Sequence, residues 1–352
     1  MDNVTNLFIL EGKSIRDAFR SMDQSQKKFV LVIDKSKNII GLISDGDIRR
    51  AIWKGIPMST KLNNIMNKNF VHLSDKKDAV SIKQIFKTTK IKQIPIIKNK
   101  KLVEVLYEED IRLSSRNPSA KITNTSVIIM AGGFGKRLDP FTRILPKALV
   151  PIGEKPISEI IMNEFQKYGV NNFKLSLNDK AKMIRAYFQD HSLGYDIVFY
   201  EESKPLGTAG SLTLIKDEVE KTFFVSNCDI IIKSDYSQIY KFHKNQGNQI
   251  TIVGSMKHYT IPYGVCEIED GGSLKSIKEK PEYDFLTNTG FYILERKIID
   301  LIPKNTYFDM TDLIKSVKNK KYRIGVFPIS EKSWIDIGQW SEYKRFIKDF
   351  SV

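Results

Sequence analysis

Residues 130–147, MAGGFGKRLDPFTRILPK, constrain this chain more than any other stretch. The apolar run VIIMAG (127–132) leads straight into them and reads as a buried strand. Gly132, Gly133 and Gly135 fall within four positions, and two prolines come after them. Glycine costs backbone entropy and proline removes a donor, so neither a helix interior nor a strand continues here. A strand that feeds a glycine-rich loop can aim backbone N–H groups at an anion. Arg137, Arg143 and Lys147 add positive charge to the same loop. The pattern is neither GxxxxGK[ST] nor GxGxxG, and glycine spacing alone also fits an ordinary turn.

Beyond the loop, apolar strands alternate with amphipathic helices. ISEIIMNEFQKYG (157–169) carries helical apolar spacing and ends on Gly169, while FKLSL, YDIVFY and TFFVSN read as strands. This alternation predicts an α/β domain with a mostly parallel sheet. The first 113 residues differ. FVLVIDKSKNIIGLISDGDIRR (29–50) resembles IKQIPIIKNKKLVEVLYEEDIR (91–112) at an offset of 63 residues, which sets Asp47 on Asp110. Each copy predicts an antiparallel hairpin and then an acidic residue that opens a helix, and IRDAFRSM and AVSIKQIF predict helices ahead of the hairpins. The expected organisation is a small α+β tandem module over 1–118, a polar linker over 119–125, and the α/β domain over 126–352.

Composition narrows the function. No apolar run reaches the length of a membrane span, and the N-terminus lacks a secretory pattern, so a cytoplasmic protein with no membrane partner is expected. The two cysteines, Cys228 and Cys266, have no metal-binding spacing. The net charge of +15 comes from scattered lysines without an RNA-binding aromatic signature or zinc-finger spacing. It excludes no anionic small molecule, and nucleic acid is not expected as a partner.

Besides its glycines, the loop reads G-G-x-G-x-R-L-x-P-x-T-x-x-x-P-K across sixteen positions, 132 to 147. That pattern resembles the signature of sugar-phosphate nucleotidyltransferases. Further blocks recur in the family's order: PLGTAGSL (205–212), NCD (227–229), YGVCE (263–267), EKP (279–281), NTG (288–290) and WIDIG (334–338). The resemblance implies a Rossmann-like domain with its site at the carboxyl ends of the strands. It implies attack of a sugar 1-phosphate oxygen on the α-phosphate of a nucleoside triphosphate, with loss of pyrophosphate. Ala131, Gly132, Gly133, Gly135, Gly207 and Thr208 would then line the nucleotide. Arg137, Lys147 and Lys280 would be the catalytic cations, and Asp229 and Asp336 would hold Mg²⁺. A helix cap for Asp229 and a buried ion pair for Asp336 are the plain structural readings. Gly264, Glu279, Asn288 and Thr289 match sugar-lining positions.

Glu202 stands five residues before Gly207. A carboxylate only accepts, and guanine presents N1–H and N2–H₂ side by side, so Glu202 favours GTP; Glu201 is the alternative acid. The repeated hairpins resemble a tandem pair of CBS domains. In that family Ser44, Asp47 and, in the second copy, Asp110 match positions that contact a purine nucleotide; Glu104 and Tyr107 depart from the pattern. A docking module without ligand is the other reading, and the resemblance implies a homodimer. The whole arrangement is similar to enzymes that make GDP-glucosamine from glucosamine 1-phosphate on a bacterial route to legionaminic acid. Mannose 1-phosphate, heptose 1-phosphate and a non-catalytic nucleotide sensor remain as alternatives.

Overall fold

Each copy of the repeat folds as a hairpin. The computed structural model describes residues 7–25, 27–75, 79–89, 91, 93–107, 121–190, 194–338, 340 and 342–344. The chain divides into two compact units, 1–117 and 118–352. In the first unit β1 (Phe8–Leu10) lies parallel to β2 (Phe29–Ile33), which pairs antiparallel with β3 (Ile39–Ser44). The second copy gives β4 (Gln93–Lys98) and β5 (Lys101–Tyr107), also antiparallel. Asn99 and Lys100 join them with φ of 50° and 60°, the left-handed pair that a two-residue hairpin turn requires. Helices Ile15–Ser25 and Asp45–Trp53 bury Ile15, Ala18, Met22, Ile48 and Ala51 against the first hairpin. Helix Ala79–Thr89 precedes the second hairpin. The copies share one apolar cluster, in which Phe29, Leu31 and Leu42 meet Ile97, Leu102 and Val105.

The second unit is built on a seven-stranded sheet. Its strands are β6 (Val127–Met130), β9 (Asn172–Leu177), β10 (Asp196–Glu201), β11 (Thr222–Asn227), β13 (Ile250–Thr260), β16 (Glu282–Glu295) and β17 (Ile324–Ile329), in the order β10-β9-β6-β11-β16-β13-β17. Short pairs lie outside it: β7 (Pro151–Ile152) with β8 (Lys155–Pro156), β12 (Ile230–Ile232) with β18 (Trp334–Asp336), and β14 (Val265–Ile268) with β15 (Leu274–Lys278). Every pair in the large sheet is parallel except the two made by β16. The expected α/β class with a mostly parallel sheet is observed.

Continuous apolar runs become strands buried on both faces. Val127, Ile129, Phe224, Phe291 and Ile293 face one layer, where helix Ile157–Gln166 contributes Ile161, Met162 and Phe165. Ile128, Phe223, Val225, Tyr292 and Leu294 face the other, against Leu313 and Val317 of helix Met310–Asn319. The segment expected as a plain linker is partly packed. Ile122 is buried with its N–H donating to Tyr168 O at 2.8 Å, and Thr125 Oγ1 donates to Thr222 O at 2.9 Å. The isoleucine supplies an apolar anchor that the polar composition hides.

Where β11 begins and β16 ends, a polar chain is buried. Asn248 Nδ2 donates to Thr251 Oγ1 at 3.0 Å, and that hydroxyl bonds His243 Nδ1 at 2.9 Å. His243 Nε2 bonds Glu295 Oε1 at 3.3 Å, which also accepts from Thr222 Oγ1 at 2.6 Å and Lys244 Nζ at 2.9 Å. Burial pushes His243 down to about 4 despite Glu295. The folded imidazole is therefore neutral, whereas the unfolded chain takes up a proton below about pH 6.5. Stability falls as pH drops from about 6.5 towards 4, by up to ~3 kcal/mol. In urea unfolding, His243→Gln is expected to be less stable than wild type at pH 7.5. The gap should narrow by about 2 kcal/mol at pH 5. A gap that does not change with pH contradicts the neutral assignment.

Candidate active site

At the carboxyl end of β11, Asn227 is followed by Cys228 and Asp229. β12 then leaves the sheet to pair with β18, which sets Ile230 opposite Asp336. Asp229 O accepts from Ile337 N at 3.0 Å, locking the two acidic segments together. Gly338 shows how close the carboxylates come. A Cβ there would meet both Asp229 Oδ2 and, at 3.0 Å, Asp336 Oδ1. Its N–H donates to Asp336 Oδ1 at 2.8 Å.

One cation answers these acids. Lys147 Nζ forms an ion pair with Asp229 Oδ2, and the two side chains are only 14% and 6% exposed. Burial works against the Lys147 charge, but Asp229 outweighs it and holds the ammonium above its usual range. Asp336 has no ion pair among the described residues. Burial pushes its carboxyl up, the Gly338 N–H opposes this, and the Asp229 charge adds to it. Cys228, next to Asp229 in the chain, is buried, and burial pushes its thiol up to about 12, which keeps it protonated.

The glycine loop reaches this cluster through Lys147. Gly135 has φ +66°, and a Cβ there would lie 2.7 Å from Thr142 Cγ2 and 3.2 Å from Lys147 Cβ, so only glycine lets the loop fold back. Thr142 Oγ1 donates to Gly135 O at 2.9 Å, and Lys180 Nζ donates to Thr142 O at 2.6 Å. Arg137 is exposed, and its charge acts on both Lys147 and Asp336. Gly133 is exposed with open space around it. Ala131 is buried, and its N–H is consumed by Ser176 O at 2.9 Å.

Glu202 meets the same loop from the side. A Cβ on Gly132 would lie 2.9 Å from Glu202 Oε1. That oxygen accepts from Ser176 Oγ at 2.8 Å, and Oε2 accepts from Leu206 N at 2.8 Å. The carboxylate thus braces the turn into the LGTAG segment and keeps one lone pair on each oxygen. Glu201 is exposed, at 3.4 Å from Arg185. Gly207 has φ +79° and passes against Phe308 O, 2.7 Å from where its Cβ would be. Thr208 N and Oγ1 each donate to Asp309 Oδ1 at 3.2 Å, and Thr208 Oγ1 accepts from Met310 N at 2.9 Å.

The remaining positions lie on or beside β14, β15 and β16. A Cβ on Gly264 would be 2.9 Å from Glu279 Oε2, so these two stand together. Glu279 and Lys280 are exposed, and Lys280 has φ +44°. Asn288 Nδ2 donates to Tyr292 Oη at 2.7 Å. Thr289 is buried, its hydroxyl donating to Val253 O at 2.8 Å, so it is turned into the sheet. In the first unit Ser44 and Asp47 bond each other. Asp47 Oδ2 accepts from Ser44 N at 2.8 Å and Ser44 Oγ at 2.6 Å, which caps helix Asp45–Trp53. Lys27 Nζ lies 4.5 Å over the Tyr107 ring. Asp110 lies outside the described residues.

Sequence reasoning misses Ser176, Lys180, Asp309 and Gly338. Gly338 sits inside a block already singled out; the other three belong to no block and are found only through contacts. Among the described residues no group of three or more His, Cys, Asp or Glu gathers as a metal cage. Two converging carboxylates fit Mg²⁺, which takes few protein ligands and keeps water and phosphate oxygens. No helix among the described residues is long and apolar enough to cross a membrane.

Removing one partner of a buried pair strands the other charge. Asp229→Asn should therefore lower the melting temperature measured in EDTA, and adding Lys147→Met should recover much of the loss. Asp336→Asn removes an unpaired carboxylate and should keep or raise that temperature. A large loss of stability from Asp336→Asn contradicts this arrangement.

A family model of nucleotidyl transferases matches residues 126–351, and one of the CBS domain matches 4–54 and 62–116. The chain is similar to a probable mannose-1-phosphate guanylyltransferase 3 of Oryza sativa subsp. japonica, 32% identical over 227 residues, which are 61% of this chain and 62% of that protein. The mannose-1-phosphate guanyltransferase of Saccharomyces cerevisiae is 32% identical over 229 residues, with the same shares. The match thus spans less than two thirds of the length of these relatives. Among solved structures, HddC from Yersinia pseudotuberculosis aligns with a TM-score of 0.52 at 26% identity, covering 64% of this chain and 99% of that one. HddC complexed with GMP-PN aligns with a TM-score of 0.51 at 27% identity, with the same coverage.

Proposed function

The chain belongs to the nucleotidyl transferase family, and from that premise we propose that residues 126–352 transfer a guanylyl group from GTP to a sugar 1-phosphate, forming a GDP-sugar and pyrophosphate. The observation that carries the proposal is the buried Lys147–Asp229 pair beside Asp336, reached by the glycine loop at the carboxyl end of β11. The curated relatives named as guanylyltransferases and the HddC complex with GMP-PN support guanine as the base.

The sugar phosphate oxygen is already an anion at neutral pH, so it needs no strong base. A bond forms from it to the α-phosphorus, the bond to the bridging oxygen breaks, and the electron pair leaves with pyrophosphate. The work is charge neutralisation and alignment. Lys147 is a charged ammonium next to the carboxylates and can lean from Asp229 towards the reacting phosphates. Arg137, exposed at the loop, offers a bidentate fork to the departing pyrophosphate. A divalent cation, Mg²⁺ in this proposal, would be held by Asp229 and Asp336 and would supply Lewis-acid charge at the phosphates. The free lone pairs of Glu202 accept guanine N1–H and N2–H, with Ser176 and Leu206 holding the carboxylate in place. Glu279 accepts from sugar hydroxyls and Lys280 meets the sugar phosphate. Because the reaction draws on GTP, we assign it to the cytoplasm.

For the acceptor we propose glucosamine 1-phosphate, as a step towards a surface nonulosonic sugar, on the strength of the CBS pair ahead of the transferase domain. The names of the relatives favour mannose 1-phosphate as the second reading. Pyrophosphate release should be measured with each of the four nucleoside triphosphates against glucosamine, mannose and heptose 1-phosphates. GTP with glucosamine 1-phosphate is expected to exceed every other pair by at least tenfold in kcat/KM. A preference for mannose 1-phosphate replaces the acceptor, and silence with every pair overturns the enzyme.

A further inference from the structure

The short helix Phe141–Ile144 ends just ahead of Pro146 and Lys147, and its end leaves one carbonyl without a local partner. Leu145 N donates to Phe141 O at 2.9 Å. The residue that would serve Thr142 O in the same way is Pro146, which has no N–H. Thr142 is buried, and a buried carbonyl without a donor is costly. The donor comes from 38 residues away: Lys180 Nζ reaches Thr142 O at 2.6 Å.

The backbone of Lys180 is strained. It has φ +53°, a left-handed conformation that glycine adopts freely and lysine does not. Non-glycine residues held in that region gather at functional sites. Lys180 stands between β9, which ends on Leu177, and helix Ala181–Asp190, which buries Ala181, Ile184 and Phe188 in the core. Its side chain therefore projects from a firm base, with Asp179 Oδ2 at 3.2 Å from the ammonium. The same turn meets the glycine loop at its start. A Cβ on Gly132 would lie 3.3 Å from Asn178 Cβ, and Asn178 Nδ2 donates to Glu202 O at 3.1 Å.

We propose that Lys180 is a positioning residue for Lys147. Its ammonium fixes Thr142 O, Thr142 Oγ1 fixes Gly135 O at 2.9 Å, and the chain then enters Pro146 and Lys147 from one place. A Cβ on Gly135 would lie 3.2 Å from Lys147 Cβ, so a turn that shifts at Thr142 shifts the root of Lys147 and its reach to Asp229. The catalytic consequence rests on the guanylyl-transfer reading, in which Lys147 serves the reacting phosphates; the hold on Lys147 does not.

The test uses the full-length protein and Lys180→Gly. Glycine sits at φ +53° without strain, which offsets the lost hydrogen bond, so the melting temperature is expected to stay within about 4 °C of wild type. An activity loss then has no unfolding behind it. With GTP and the acceptor that wild type prefers, kcat should fall tenfold or more while KM for GTP changes less than threefold. A smaller fall in kcat, a loss carried by KM, or a kcat that falls only together with the melting temperature overturns the inference. A second measurement needs no turnover. Asp229→Asn is introduced into wild type and into Lys180→Gly, and melting temperatures are taken in EDTA. The drop caused by Asp229→Asn should be at least halved in the Lys180→Gly background, because Lys147 is then already loosened from the pair. A smaller difference between the two backgrounds overturns the inference. If Lys180→Gly loses cooperative unfolding, Lys180→Met takes its place in both measurements. A wild type that is silent with every substrate pair sinks the guanylyl-transfer reading, and the coupling then decides the positioning role by itself.

Discussion

The active end of the molecule depends on one buried attraction, that of Lys147 for Asp229. Two carboxylates, Asp229 and Asp336, are brought together by the pairing of β12 with β18. One ammonium is placed between the glycine loop and the sheet to face them. Buried like charges at this spacing repel, and a single lysine does not satisfy both. Two carboxylates against one ammonium leave an excess of negative charge that an added cation would neutralise. On the proposed function, triphosphate and sugar phosphate would bring more negative charge to this end, and the loop above is basic, its exposed arginine acting on both Lys147 and Asp336.

The rest of the fold supports this attraction. β11 is buried on both faces, so its carboxyl end delivers Asp229 at a fixed height above the core. Gly135 lets the loop turn tightly enough to seat Lys147, and Gly338 leaves room for both carboxylates. Glu202 is held by hydrogen bonds from Ser176 and Leu206, and Asp309 ties down Thr208. Polar groups at the other end of the same strands are organised differently. There His243, Glu295, Lys244 and Thr222 satisfy one another, and the leftover acceptors belong to Asn248 and Gln249.

Much of this is legible in the sequence. The apolar runs at 127–130, 172–177 and 222–227 become the parallel strands, and the offset of 63 residues becomes two hairpins. Motifs local to the chain mark Lys147, Asp229 and Asp336, each inside a short block of characteristic residues. The hidden features depend on contacts between distant residues. Nothing near Thr289 says that its hydroxyl turns to Val253 rather than outward, and nothing near Ser176 says that it holds Glu202. Ser44 and Asp47 have the spacing of ligand positions, and the structure uses both to cap a helix, a role that the same spacing serves equally well.

On the proposed mechanism, Asp229 and Asp336 form one cation site that the nucleotide completes. Manganese binding followed by electron paramagnetic resonance, with and without GTP, tests this directly. Wild type is expected to bind Mn²⁺ at least tenfold more tightly in the presence of GTP, and Asp229→Asn and Asp336→Asn are each expected to abolish that gain. Mn²⁺ binding that is indifferent to GTP, or undiminished in either folded variant, would contradict a shared site.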